Sequence, residues 1–110
     1  MVCAAILGLI VMVAPSSAAQ KTATWVGASG GGDDVSYDDA LNWDIGEVPA
    51  NNGTDTYIVV FPAGVSVQYN RVAAGTVDQL TLPATSTLTI NAARSLSVLD
   101  AAAVGGTVTT

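Results

Sequence analysis

The sequence predicts an all-β chain that starts a parallel β-solenoid, placed behind a signal peptide and an N-terminal cap. Three observations predict this fold class: short alternating apolar runs fill the second half, a repeat links these runs, and no helical period follows Gln20. A small antiparallel β-sandwich is the alternative, because alternating runs also suit hairpin-linked strands.

The first unit, residues 1–19, is predicted to be a signal peptide. Residues 4–14 are apolar apart from Gly8, and such a run is too short to cross a bilayer but matches a signal peptide. Pro15 ends the run, and the small residues 17–19 fit a peptidase site. We therefore expect cleavage between Ala19 and Gln20, and export of the remaining chain to the surface or exterior of a bacterial cell.

The third unit, residues 56–110, carries the repeat. Shifting the chain against itself by 21 residues, the length of the predicted repeat, aligns Pro62 with Pro83 and Asn70 with Asn91. In a solenoid the prolines would occupy corners, because proline cannot donate to a central ladder, and the two asparagines would form an amide ladder. The predicted strands are 57–61, 65–69, 77–82, 86–91, 95–99 and 107–110. Since about three repeats are needed to bury a solenoid core, the chain is expected to be a truncated, N-terminal part of a longer protein.

The second unit, residues 20–55, is predicted to be the cap, with an acidic, glycine-rich loop inside it. Its large apolar side chains can cover the open end of the first coil, and its glycines and proline suit sharp corners. The cap residues predicted from this segment are Trp25, Gly27, Asn42, Trp43, Gly46, Pro49 and Asp55.

An ordered series of motifs runs through the same segment: T-W-x-G at 24–27, A-x-N-W-x-x-G-x-x-P at 40–49, and D-x-x-I at 55–58. This series resembles the N-terminal segment of bacterial autotransporter-associated β-strand proteins and related parallel β-helix surface proteins. The resemblance implies that residues 24–60 lead into the first coil of a β-helix. The chain departs from the family pattern in its longer, Asp-rich gap, where Tyr37 is the only aromatic residue.

Composition excludes several kinds of chemistry. The chain has no His, and its one Cys, Cys3, lies in the predicted signal peptide, so a histidine triad, a cysteine nucleophile and a His or Cys zinc site are excluded from the exported part. A net charge of −6 argues against nucleic acid as a partner. No carboxylate pair has an obvious cause for a raised pKa, and we expect no catalytic residue and no enzyme activity.

Calcium is the one cofactor that the acidic loop suggests, because it is bound by carboxylate and carbonyl oxygens. The weak candidate ligands are Asp33, Asp34, Asp38 and Asp39. Their spacing is not that of an EF-hand, and the sequence favours a solvated acidic loop over a calcium site.

The expected function is structural: a non-catalytic N-terminal segment of an exported bacterial surface or secreted β-solenoid protein, similar to an adhesin, a matrix protein or an autotransporter passenger. One alternative is the N-terminal part of a carbohydrate-binding or polysaccharide-processing β-helix enzyme. A second is a small self-assembling exported β-protein. The expected partners are downstream coils of the same chain, stacked copies of it, or surface glycans.

Overall fold

The structure is a computed structural model that describes residues 19–110. The predicted signal peptide lies outside the described residues, apart from Ala19, which is the first residue of the first strand. The strands are β1 (Ala19–Thr24), β2 (Asp55–Val60), β3 (Ser66–Tyr69), β4 (Gly75–Leu82), β5 (Thr87–Ile90), β6 (Leu96–Val104) and β7 (Thr107–Thr109). Two short 3-10 helices, Gly27–Gly30 and Ala40–Asn42, lie between β1 and β2.

The strands form two parallel sheets, in the orders β1-β2-β4-β6 and β3-β5-β7. From β2 onward, consecutive strands along the chain alternate between the sheets, and one hydrophobic core contains side chains from both sheets. The all-β prediction is therefore confirmed. The antiparallel alternative is wrong for residues 19–110, because every pairing of the named strands there is parallel.

The β2–β4 and β3–β5 pairings have the 21-residue spacing that the repeat predicts, whereas β5 pairs with β7 at a spacing of 20 residues. Ser66 pairs with Thr87, and Ile58 pairs with Gln79. The two residues of each pair are 21 positions apart, as are Pro62 and Pro83. Along β4 and β6 the register shifts between Val77 and Gln79, so that β6 carries one additional residue. This bulge is typical of sheet edges, where it interrupts pairing and increases the local twist.

Two differences from the predicted strands have physical causes. The sequence does not predict β1, since only Ala23 of its six residues is buried. The strand exists because its whole length pairs in parallel with β2. β6 continues through the three alanines at 101–103, because each of them pairs with a residue of β4.

The second sheet is extended by part of the acidic loop. Ser36 forms a parallel bridge with Gln68 of β3. The amide of Tyr37 donates to the Gln68 carbonyl at 2.9 Å, and the Gln68 amide donates to the Val35 carbonyl at 2.8 Å. Residues 35–37 therefore continue the ladder of the three-stranded sheet beyond β3.

Core side chains become smaller from the β1 end of the stack to the β6 end. Trp25 packs on Phe61 with ring centroids 5.9 Å apart, and Leu82 further along pairs with Val104. The opposite sheet shows the same trend. The two series are Trp25, Phe61, Leu82 and Val104 on one side, and Tyr37, Tyr69 and Ile90 on the other.

Two prolines mark equivalent chain reversals. Pro83 directly follows β4, and Pro62 is the second residue after β2. Ser86, a buried residue that the repeat did not single out, joins these two turns. Its hydroxyl donates to the Pro62 carbonyl at 2.6 Å and accepts from the Val65 amide at 3.2 Å.

We expect Ser86→Ala to lower the free energy of unfolding by about 1–3 kcal/mol, because it leaves the Pro62 carbonyl and the Val65 amide without this partner. Urea unfolding followed by circular dichroism measures the change. Ser97→Ala, on the exposed side of β6, is the matched control and should cost less than about 0.5 kcal/mol. Equal losses in the two variants would contradict this role of Ser86.

No helix within residues 19–110 is both long enough and apolar enough to cross a membrane.

Candidate functional site

The segment between β1 and β2 helps to place a group of five aromatic residues at one end of the core. This aromatic cluster consists of Trp25, Tyr37, Trp43, Phe61 and Tyr69, all of them buried. Trp43 lies at its centre, with ring centroids 5.2 Å from Trp25, 5.0 Å from Tyr37 and 5.5 Å from Phe61. The contacts of Trp43 with Trp25 and Tyr37 are edge-to-face, and such contacts stabilise aromatic pairs beyond the area that they bury.

Two polar contacts hold the aromatic cluster in place. The Trp43 indole Nε1 donates to the Tyr37 carbonyl at 2.9 Å, and the Tyr37 hydroxyl donates to the Pro49 carbonyl at 2.7 Å. Burial raises the pKa of the Tyr37 hydroxyl far above its ordinary value, so it remains a donor at any physiological pH. Pro49, predicted as a corner, is itself fully buried.

Because the rings of Trp25, Tyr37 and Trp43 are buried, none of them offers a face on which a sugar ring could stack. Trp25 Nε1 is also enclosed and has no hydrogen-bond partner among residues 19–110. The cluster therefore has the properties of a packed core and lacks those of a ligand platform.

The free edge of β1 is covered at its C-terminal end. The Thr24 amide donates to Asp44 Oδ1 at 2.9 Å, and the Asp44 amide donates back to the Thr24 carbonyl at 3.0 Å. Next to this pair, Trp25 and Trp43 form an antiparallel bridge, and the Val26 amide donates to the Asn42 carbonyl at 2.7 Å. These backbone groups are thus unavailable to another strand.

Asn42 organises the acidic loop from a fully buried position. Its Oδ1 accepts from the Asp34 amide at 2.9 Å, and its Nδ2 donates to Asp33 Oδ1 and to the Ser36 carbonyl, both at 2.8 Å. The side chain therefore satisfies three groups on the loop that carries Tyr37. The sequence placed Asn42 in the cap but did not indicate these partners.

Two of the predicted cap glycines have a backbone that requires glycine. Gly27 has φ of 56° and Gly46 has φ of 71°, in the left-handed region where other residues are strained. A Cβ on Gly27 would also collide with the Asp34 carboxylate. These two positions therefore shape the turns that bring Trp25 and Trp43 together.

Asp33 is held as a carboxylate by the loop. Its Oδ1 accepts from the amides of Val35 and Ser36 at 2.9 and 2.8 Å, and from Asn42 Nδ2. These bonds, the Ser36 amide first, hold the pKa of Asp33 well below its ordinary value of 3.8. A lowered pKa in the folded state means that the bonds stabilise the fold above about pH 4 and that this contribution is lost as the pH falls below it.

We therefore expect the urea concentration at the unfolding midpoint to decrease as the pH is lowered from 4 to 2. We expect this decrease to be smaller in Asp33→Asn. The asparagine keeps an Oδ1 acceptor but removes the titrating carboxyl group. Urea unfolding at closely spaced pH values compares the two proteins. An identical pH dependence in both would contradict the assignment to Asp33.

The four calcium candidates do not come together around one point. Asp39 accepts from the Leu41 and Asp33 amides, both at 3.0 Å, and Asp38 forms an ion pair of 2.9 Å with Arg71. Asp34 Oδ1 lies 3.4 Å from the Ala28 amide. Within residues 19–110 no group of three or more acidic, His or Cys side chains is arranged to hold a metal ion.

The predicted asparagine ladder is replaced at Asn70 by contacts with the acidic loop. Asn70 Nδ2 donates to Ser36 Oγ at 3.1 Å, and Asn70 Oδ1 accepts from the Asp38 amide at 3.3 Å. Asn91 lies at the equivalent position, and its backbone amide donates to the Tyr69 carbonyl at 3.1 Å. The side chain of Asn70 thus ties β3 to residues 36–38, and in the described residues no bond joins it to the Asn91 side chain.

A polar cluster that sequence reasoning missed surrounds Lys21 of β1. Its ammonium group lies 3.1 Å from Glu47 and 3.2 Å from Asp55, the last predicted cap residue. The Tyr57 hydroxyl donates to Glu47 at 2.6 Å, which together with Lys21 lowers the pKa of Glu47. Burial, reinforced by that bond, raises the pKa of Tyr57 to about 12. These contacts fasten the end of the cap segment to β1 and β2.

No protein family, curated protein or solved structure matches this chain.

Proposed function

We propose that this chain is the non-catalytic N-terminal segment of an exported bacterial β-solenoid protein, in which residues 20–55 cap one end and residues 56–110 form the first coils. The observation that carries the proposal is the parallel pairing of strands in both sheets at the same spacing along the chain, Ile58 with Gln79 and Ser66 with Thr87. In a solenoid each strand stacks on its equivalent in the next coil, at about 4.8 Å, so paired residues lie about one repeat apart along the chain.

The capping role of residues 20–55 is supported by what they cover. The aromatic cluster closes one end of the core, and Asp44, Trp43 and Asn42 occupy the edge of β1 near Thr24. An uncovered edge strand pairs with other chains, and native proteins avoid this by covering it. The resemblance to autotransporter-associated and other parallel β-helix surface proteins agrees with this arrangement.

The alternative of a carbohydrate-binding or polysaccharide-processing enzyme has less support within residues 19–110. The aromatic rings that could stack on sugars are buried. The loop carboxylates are engaged by backbone amides or by Arg71. A stalk or surface-display role needs neither feature.

The proposal is tested by determining the source gene beyond the codon for Thr110 and by locating the exported product. We expect an open frame with further repeats of the same length, and an exported protein whose N-terminal residue is Gln20. A stop codon directly after Thr110 would contradict the role as an N-terminal segment. A product that retains residues 1–19 in the cytoplasm would contradict export.

A further inference from the structure

The end of the core opposite the aromatic cluster is open. A groove of about 410 Å³ lies between β6 and β7 and reaches back to β4 and β5. Its lining includes Leu80, Leu88, Ile90, Leu96, Val104 and Val108, together with Arg94. For scale, an engineered apolar cavity of about 150 Å³ is enough to bind benzene.

The groove exists because the last core residues are small. Ala102 pairs with Leu80, and Val108 pairs with Leu88, so a smaller side chain lies over a larger one in both sheets. Val104 and Val108 are 45% and 44% exposed. The final strands therefore leave apolar surface of the preceding strands uncovered, whereas Phe61 and Tyr69 are completely covered at the opposite end.

The same end presents free strand edges. β6 pairs on one side with β4, and β7 pairs on one side with β5, so the outer edge of each strand has no strand partner in the described part of the chain. Such edges accept a further strand through backbone hydrogen bonds, and alternate side chains of that strand then enter the pockets beneath.

We infer that this open end binds one further coil made of two parallel strands whose inward side chains are bulky and apolar. The inference rests on the proposed function. A coil fits because β6 and β7 each have one free edge, and its two strands could pair with them as β6 pairs with β4 and β7 pairs with β5. Bulky side chains fit because Ala102 and Val108 are small and leave the groove unfilled. A hydrogen-bond acceptor at the corner would also suit Arg94, whose enclosed Nε lacks a partner among residues 19–110.

The backbone at the two ends favours this occupant over the capped end of a second copy. At the capped end the edge of β1 is already bonded to Asp44 near Thr24, and Trp25 and Trp43 form an antiparallel bridge beside it. A further coil, by contrast, would present two unpaired strands to β6 and β7.

The test is to extend the full chain after Thr110 by one coil in three versions. The bulky coil repeats residues 91–95 followed by residues 75–90, which carry Leu80, Leu82, Leu88 and Ile90. The small coil repeats residues 91–110. The polar control is the bulky coil with those four residues replaced by Ser. The melting temperature and the fluorescence of an apolar dye, ANS, are measured for each.

We expect the bulky coil to raise the melting temperature by about 5 °C or more and to halve the ANS fluorescence, while the small coil does less and the polar coil does nothing. Equal effects of the bulky and small coils would overturn the preference for bulky side chains but would leave the solenoid proposal intact. No effect of any coil would overturn both. If light scattering shows that the unextended chain is a dimer and that the bulky coil makes it monomeric, the groove is occupied by a second copy, and the inference is wrong.

Discussion

Replacing Trp43 by alanine is expected to lower the free energy of unfolding by about 3–5 kcal/mol, which is the usual loss for a buried aromatic side chain. Trp43 touches three other rings of the aromatic cluster and donates to the Tyr37 carbonyl. The variant therefore loses packing at the centre of the cluster and leaves a buried carbonyl without its donor. For a chain of this size the melting temperature should fall by roughly 15 °C or more.

Leu41→Ala is the matched control for Trp43→Ala. Leu41 is a large apolar residue only two positions away, but it is 54% exposed, so its truncation should cost less than about 1 kcal/mol. Thermal and urea unfolding of the two variants measure the difference. If Trp43→Ala stays as stable as the unmodified chain and loses binding to a polysaccharide instead, the aromatic cluster is a sugar site and the capping role is wrong.

Asn42→Ala is expected to cost about 3 kcal/mol, the second largest effect. The substitution removes one acceptor and two donor hydrogens that serve the Asp34 amide, the Asp33 carboxylate and the Ser36 carbonyl, and a buried group left without its partner costs about 1–3 kcal/mol. The loop that carries Tyr37 should loosen as a consequence. Urea unfolding measures the loss, and amide exchange at residues 33–38 measures the loosening.

The control for Asn42→Ala is Asn52→Ala. The Asn52 side chain also accepts two bonds, from the Thr54 and Asp55 amides, but it lies in an exposed turn where water can replace it. We expect a loss below about 1 kcal/mol there. A similar loss at both positions would show that Asn42 is an ordinary turn residue and does not organise the loop.

The parallel arrangement could be anticipated from a few positions. Pro62 and Pro83, and Asn70 and Asn91, recur at the spacing at which β3 pairs with β5, because equivalent residues of stacked strands occupy equivalent turns. The burial of Trp25 and Trp43 also followed from their size and apolar character. Period and hydrophobicity are local properties, and a single sequence displays them directly.

The contacts within residues 20–55 could not be anticipated in the same way. β1 pairs with β2 across an intervening loop that has no repeat. The alternation of apolar and polar residues in one strand does not identify the other as its partner. Composition also does not tell where each carboxylate of the loop points. In the structure Asp39 accepts from two backbone amides, and Asp38 pairs with Arg71.

The central claim, that equivalent strands stack in parallel one repeat apart, is tested most directly by NMR of the isotopically labelled chain. The decisive region is where β3 lies beside β5, with Gln68 paired with Thr89 and Tyr69 paired with Ile90. We predict sequential cross-strand contacts between β3 and β5 that advance in the same direction along both strands. Contacts that run in opposite directions along the two strands would show an antiparallel sheet and contradict the account.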